Sequence, residues 1–297
     1  MLWVYEGVTM DIRMLIDKFP QLMGKQIESI APFQREEDGT DYDVWMISTE
    51  DGAYVLKKAK GRELSVYTSF LGKEIQGAPR FYASTHIPEG DYFLMEYVSG
   101  ESLCKCTRSA LIAALDALIS LQDMFWENHE YDNVGFTFSD SMAGRLSRGE
   151  YLKDADLEAA YSRFLDLYRT LPRTFCHDDL LPFNLLISEN GATIIDWEQA
   201  GMLPYPVSFA RLIAHGTEES DAFFYMTEDD KHYAIDYYYD HLIKGKGIAY
   251  CEYRRALNYF LLYEYCEWIM LGNRYEDADM DRYRKYYAKA KEHILSL

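Results

Sequence analysis

At 297 residues, 48% apolar and 27% charged, the chain can bury a large core and form one bilobal unit or two domains. A net charge of −19 argues against nucleic acid, whose phosphates demand dense Lys and Arg, and suits a cationic partner, although solubility alone would also account for it. Five cysteines with no C-x-x-C pair and no secretory leader point to reduced thiols in the cytoplasm; the apolar run 256–271 is interrupted by Glu264 and Glu267 and is too short to span a bilayer comfortably.

In chain order, Met10, Ile12, Met14, Leu15 and Phe19 suggest a short amphipathic helix before Gly24. Residues 42–49 and 53–59 read as strands around an Asp51-Gly52 hairpin turn. On the second strand Ala53, Val55 and Lys57 share one face, Tyr54, Leu56 and Lys58 the other. A helix over 61–72 carries Glu63 in its first turn, and 92–98 is an apolar strand entering a Ser-Gly turn. Residues 109–128 and 151–170 have helical apolar spacing, with Leu111, Leu115, Leu118 and Leu121 on one side of the first. Near the end, Leu257, Leu261, Glu264 and Trp268 fall on one helical stripe.

Between these helices lies the most informative segment, 176–198. His177, Asp179 and Asn184 form H-x-D-x-x-x-x-N, followed by the apolar runs 185–187 and 193–195 flanking Asn190-Gly191, and then Asp196. With Asn190-Gly191 as a two-residue turn, Leu185 lies opposite Asp196, and Asn184 sits beside Asp196 at the open end of the hairpin. An amide oxygen and a carboxylate are hard ligands that suit Mg²⁺, and Asp179, one short loop earlier, is placed to receive a substrate hydroxyl. Any one of these residues alone could simply cap a turn or end a strand. Together, bracketing two buried strands, they point to phosphoryl transfer.

On His177-Asp178-Asp179-Leu180 with Asn184, and on Ile195-Asp196-Trp197-Glu198, the chain resembles the aminoglycoside phosphotransferase/choline kinase family, small-molecule relatives of protein kinases. The resemblance implies an α+β, bilobal, protein-kinase-like fold. Residues 1–98 would form a small antiparallel-sheet, nucleotide-binding lobe with 1–24 as a helical extension, and 99–297 a larger, mainly helical catalytic and substrate-binding lobe. It further implies Asp179 as the catalytic carboxylate, His177 as a brace of the catalytic loop, and Asn184 and Asp196 as metal ligands.

In the first lobe it implies that Lys57 reaches the phosphates and pairs with Glu63. Solvated edge lysines, and a glutamate placed by the helix dipole alone, are the competing readings. Met95 would lie behind the base, with the Glu96 carbonyl and Val98 N–H on its edge; a plain core strand fits nearly as well. Gly39 and Thr40 would belong to the phosphate-covering loop, which departs from the family in having one glycine among a cluster of acids. Ser208 stands where the family places an Asp that steadies the catalytic loop; a hydroxyl can still cap a helix. Glu264 beside Trp268 resembles an aromatic-plus-acid site for ammonium groups, or Glu264 lies at the margin of its stripe.

The implied reaction is Mg²⁺-dependent transfer of the γ-phosphate of ATP or GTP to a hydroxyl of a small cationic molecule, such as an aminoglycoside, choline, ethanolamine, or a related amino alcohol or sugar. The alternatives are a non-catalytic kinase-like binding module and a protein kinase; the second lacks an Ala-Pro-Glu-like anchor after Asp196.

Overall fold

The computed structural model describes residues 12–34, 41–72, 75–104, 106–214, 216, 224–275 and 280–297, with backbone only at 280 and 281. The chain opens with α1 (Ile12–Ile16) and the strands β1 (Ile27–Gln34), β2 (Asp41–Thr49) and β3 (Gly52–Lys58). The helix α2 (Glu63–Ser69) and strands β4 (Phe81–Ile87) and β5 (Gly90–Glu96) complete a five-stranded antiparallel sheet of order β1-β2-β3-β5-β4.

Strand alternation gives that sheet two apolar faces. Leu56, Tyr92 and Leu94 pack under Leu15, Ile16 and Phe19, so α1 and the turn after it cover one side. Val55, Phe93 and Met95 face the other way and join the main core. Lys57 shares this second face and is buried there, which is what aims its ammonium inward.

A short β6 (Glu101–Ser102) leads into α3 (Arg108–Met124), α4 (Phe138–Gly149) and α5 (Ala155–Thr170). Thr107, Thr137 and Asp154 cap these three helices, each accepting a backbone N–H from the first turn. Leu111, Leu115, Leu118 and Leu121 are buried on α3, as their spacing predicts. Next come β7 (Arg173–His177), β8 (Leu185–Ser188), β9 (Gly191–Ile194) and β10 (Ala200–Pro204), with β7 paired to β10 and β8 to β6 and β9. The remainder is helical: α6 (Pro206–Ile213), α7 (Glu228–Tyr238), α8 (Tyr250–Arg274) and α9 (Met280–Ile294).

Both predicted hairpins form, each with its turn one residue earlier than its glycine suggests. Thr49 pairs with Gly52 and Ser188 with Gly191, so the turn residues are Glu50-Asp51 and Glu189-Asn190. Among the described residues only Glu127, Lys153 and Asp196 are non-glycines with positive φ, so neither turn is of the primed type that an Asn-Gly or Asp-Gly centre would make. Gly191, at φ 116°, takes the residue after the turn instead. Leu185 therefore lies opposite Ile194, not Asp196, and Ile195 N–H donates to the Asn184 carbonyl at 2.9 Å. Asp196 follows one residue beyond that bond.

The sheet and the helical part are joined through aromatic rings. Phe70, next after α2, stacks on Phe175 of β7 (centroids 4.1 Å), Phe175 stacks on Trp197 (5.0 Å), and Trp197 lies 4.9 Å from the His177 ring. This column sets α2, and Glu63 with it, over the segment that holds His177 and Asp196.

Candidate active site

Residues of this segment line two cavities. The first, about 380 Å³, has largely apolar walls that include Phe33, Val44, Val55, Met95 and Leu186. Lys57, Asn184 and Asp196 stand at its polar end. Lys57 Nζ lies 2.7 Å from Glu63 Oε1 and 2.6 Å from Asp196 Oδ1, bridging the sheet to the segment after β9. Burial pulls the Lys57 ammonium down, but the two carboxylates outweigh it and hold it above its ordinary value. Burial raises Glu63 against the pull of Lys57, whereas Lys57 overcomes burial at Asp196 and lowers it. Met95, Glu96 and Val98 also line this cavity, and the Val98 N–H makes no hydrogen bond among the described residues. Gly39 and Thr40 lie outside the described residues.

His177 ends β7 and is buried. Its Nε2 is 2.9 Å from the Ile195 carbonyl, and its Nδ1 accepts the Asp179 N–H at 3.3 Å. That pattern makes Nε2 the donor of a neutral imidazole, and burial lowers its pKa accordingly. The ring thus ties the loop holding Asp179 to the strand end before Asp196. Ser208, fully buried in the first turn of α6, does not cap that helix; its Oγ accepts the His177 backbone N–H at 2.8 Å.

Asn184 ends a short 3₁₀ turn after Pro182, and its Nδ2 donates to the Asp179 carbonyl at 2.9 Å. With the amide nitrogen used, the oxygen remains for a ligand. Asp196 sits in the left-handed region (φ 63°, ψ 59°), a conformation that costs about 1–3 kcal/mol in a non-glycine residue and clusters at functional sites. Its Oδ2 has no partner among the described residues. An amide oxygen and a carboxylate oxygen at one end of a cavity fit a hard cation such as Mg²⁺.

The second cavity, about 280 Å³, has Asp179 in its wall. Its walls are Asp178, Asp179, Glu198, Glu264 and Glu267, with Arg148, Arg211, Tyr263 and Gln199. Arg211 donates to Asp179, Glu264 and Glu267 together. Burial pushes the Glu264 carboxyl up to about 7, with Arg211 pulling against it. Behind Asp178 is a buried Arg145, bound through both terminal nitrogens (2.6 and 3.1 Å) and held between the Tyr168 and Tyr263 rings at 4.6 Å each. Glu264 therefore lines the site. Trp268 does not: it stacks on Tyr286 at 5.7 Å and carries Arg282 over its ring at 4.3 Å, against α9.

The sequence pattern leaves Arg211, Arg148, Arg145 and Glu267 unassigned. The available sign was Glu264 and Glu267, two acids on one face of a helix otherwise full of apolar and aromatic residues. Read as a bar to a membrane span, they are also the wall of a cavity. Nothing local marks the arginines, which reach the site from other helices. Among the described residues, no three His, Cys, Asp or Glu side chains cluster as a metal site, and no helix is long and apolar enough to cross a membrane.

The model of the phosphotransferase enzyme family matches residues 33–240. No curated protein sequence matches the chain. Among solved structures, the choline kinase LicA from Streptococcus pneumoniae is similar at 15% identity, covering 96% of this chain and 99% of its own, with a TM-score of 0.60. A choline kinase from Cryptosporidium parvum Iowa II follows at 14% identity, 96% and 97% coverage and a TM-score of 0.62. A thermostable mutant of the aminoglycoside phosphotransferase APH(4)-Ia gives 15%, 96%, 98% and 0.56. At such identities the likeness establishes the fold, which is bilobal and protein-kinase-like, with a small antiparallel sheet and a larger helical part.

Proposed function

The chain belongs to the phosphotransferase enzyme family, and we propose that it is a Mg²⁺-dependent kinase that moves the γ-phosphate of ATP or GTP to a hydroxyl of a small cationic molecule. The observation that carries this reading is that one loop serves two unlike cavities: Asn184, whose amide donates to the Asp179 carbonyl, lines one, and Asp179 lines the other. One is apolar and ends in Lys57, Asn184 and Asp196; the other is walled by acids. A nucleotide base fits the first, with its edge at Glu96 and Val98, its face against Val55 and Met95, and its phosphates toward Lys57. On this reading the described residues before 99 belong to the nucleotide's lobe and those from 99 onward to the lobe of the acceptor. An amine-bearing acceptor fits the second, where the carboxylates outnumber the arginines.

In this scheme Asp179 orients the acceptor hydroxyl and takes its proton as the oxygen attacks the γ-phosphorus, whose bond to the bridging oxygen breaks to release the nucleoside diphosphate. Lys57, kept charged by Glu63, holds the phosphates. Asn184 and Asp196 would hold Mg²⁺, which when bound neutralises charge on the phosphoryl oxygens. His177 and Ser208 keep the loop of Asp179 in register with the strand end at Ile195. Most of the acceleration is positional and electrostatic. The five cysteines are all free thiols, in keeping with a reducing cytoplasm.

The test is a panel of choline, ethanolamine, glucosamine and kanamycin, each scored for stimulated hydrolysis of Mg²⁺-ATP and Mg²⁺-GTP. Asp179→Asn should lower the stimulated turnover by roughly 10² or more. Near-normal turnover in that variant, with metal and acceptor saturating, removes Asp179 from the proposed role. Absence of Mg²⁺-dependent thermal stabilisation by either nucleotide removes the nucleotide cavity as well.

A further inference from the structure

Arg211 holds three carboxylates of the second cavity at once. Nε and Nη2 both donate to Asp179 Oδ1, at 3.1 and 2.9 Å. Nη1 donates to Glu264 Oε2 at 2.8 Å and to Glu267 Oε2 at 2.7 Å. Asp179 Oδ2 has no protein partner among the described residues. The Arg211 side chain is 17% exposed, so water competes little for these charge-assisted bonds. A planar guanidinium with five N–H groups can face carboxylates in two directions, which a lysine ammonium cannot do in a fixed geometry. Without it, Glu264 and Glu267, three residues apart on α8, would repel each other and Asp179.

Resting on the reading of Asp179 as the residue that orients the acceptor, we infer that Arg211 is a positioning residue for the reaction. It clamps one oxygen of Asp179 so that the other is left for the acceptor hydroxyl. It also ties Asp179 to the two glutamates that form the acceptor wall. Recognition and turnover are therefore mechanically joined: an acceptor amine drawn to Glu264 or Glu267 acts on the same guanidinium that sets the position of Asp179. A change in the wall is felt in kcat as well as in KM.

The experiment uses the full chain with Mg²⁺-ATP, first with water as acceptor and then with the panel compound that gives the highest rate. Arg211→Met should lower kcat by on the order of 10², the scale of a misplacement of about 1 Å, while KM for an amine acceptor stays level or falls because the wall becomes more negative. Arg211→Lys should recover part of that loss. Glu267→Gln, which does not touch Asp179, should lower kcat by roughly 3- to 10-fold. In an Asp179→Asn background Arg211→Met should cost no more than a further 2-fold or so, because the group it positions is already gone. Should Arg211→Met fail to fold, Arg211→Lys and Glu267→Gln carry the same comparison, and a double-mutant cycle of Arg211→Lys with Asp179→Asn on thermal unfolding reads the coupling without activity.

A rise in KM with kcat intact overturns the inference, as does full additivity of the 211 and 179 changes in either readout. If Asp179→Asn alone retains native turnover, it is the proposed role of Asp179 that has failed, and the inference about Arg211 falls with it.

Discussion

Glu264 shows how much of this site is decided by single charged groups taken out of water. The residue is 4% exposed and burial raises its carboxyl to about 7, whereas an unfolded chain would release the proton near 4.5. Between those values the folded state holds a proton that the unfolded state has lost, so this group's contribution to stability falls as pH rises from about 4.5 to about 7. Glutamine mimics the protonated form and does not titrate. The melting temperature of Glu264→Gln minus that of the native chain should therefore grow between pH 5 and pH 8. The gain should be about 2 °C or more, roughly what 1 kcal/mol produces in a chain of this size. Melting curves at the two pH values check this, and an unchanged difference would show that Glu264 is already ionised at pH 5. Ionisation above about pH 7 also makes the wall more negative, so KM for an amine acceptor should fall over the same range in the native chain and stay flat in the glutamine variant.

At the scale of elements, the loop between β7 and β8 is held from three sides. His177 bonds forward to the Ile195 carbonyl, Asn184 bonds back to the Asp179 carbonyl, and Ser208 receives the His177 N–H from α6. The family resemblance implied a bracing role for His177, but the motif marked Asn184 only as a metal ligand, and its bond to the Asp179 carbonyl is seen only in the fold. The register of the hairpin was not legible: Asn-Gly indicates a turn, but whether glycine sits in the turn or just after it depends on the backbone twist that the packed strands accept. Ser208 was legible only as a substitution for an expected charge. Its role as acceptor for a buried N–H comes from the way α6 packs on β7. Ser208→Ala leaves that N–H orphaned, and denaturant unfolding should show a loss of about 1–3 kcal/mol. Ser208→Thr, which keeps the oxygen, should recover much of it. Equal stability of the alanine variant would mean that the loop does not depend on this bond.

For the whole molecule, the central fact is that Lys57 belongs to the sheet and its two carboxylates to α2 and to the segment after β9. The nucleotide proposed for the first cavity would touch both parts of the chain, so its binding should appear as global stability. At 100 times its dissociation constant, Mg²⁺-ATP or Mg²⁺-GTP should add about 2.7 kcal/mol to unfolding. Lys57→Met should lose most of that increment, read by thermal shift with and without nucleotide. Retention of the full increment would place the phosphates elsewhere.

The sequence by itself determined what short-range geometry can determine: the His-x-Asp…Asn loop, the existence though not the register of the hairpin that follows it, and the alternation that puts Lys57 on the face of Val55; the two-part fold came through the family resemblance of the motif. In the first three, the residues concerned are neighbours in the chain or repeat with the period of one element, so covalent geometry and burial do most of the placing. Tertiary structure alone decided which side chains meet across the second cavity. Arg211 lies 32 residues from Asp179 and 53 from Glu264 along the chain, and Arg145 lies 33 from Asp178. Such meetings depend on how α4, α6 and α8 pack around one another, a geometry that no local spacing encodes. Trp268 makes the same point in reverse: it shares a helical stripe with Glu264, yet the packing of α9 draws it away from the site.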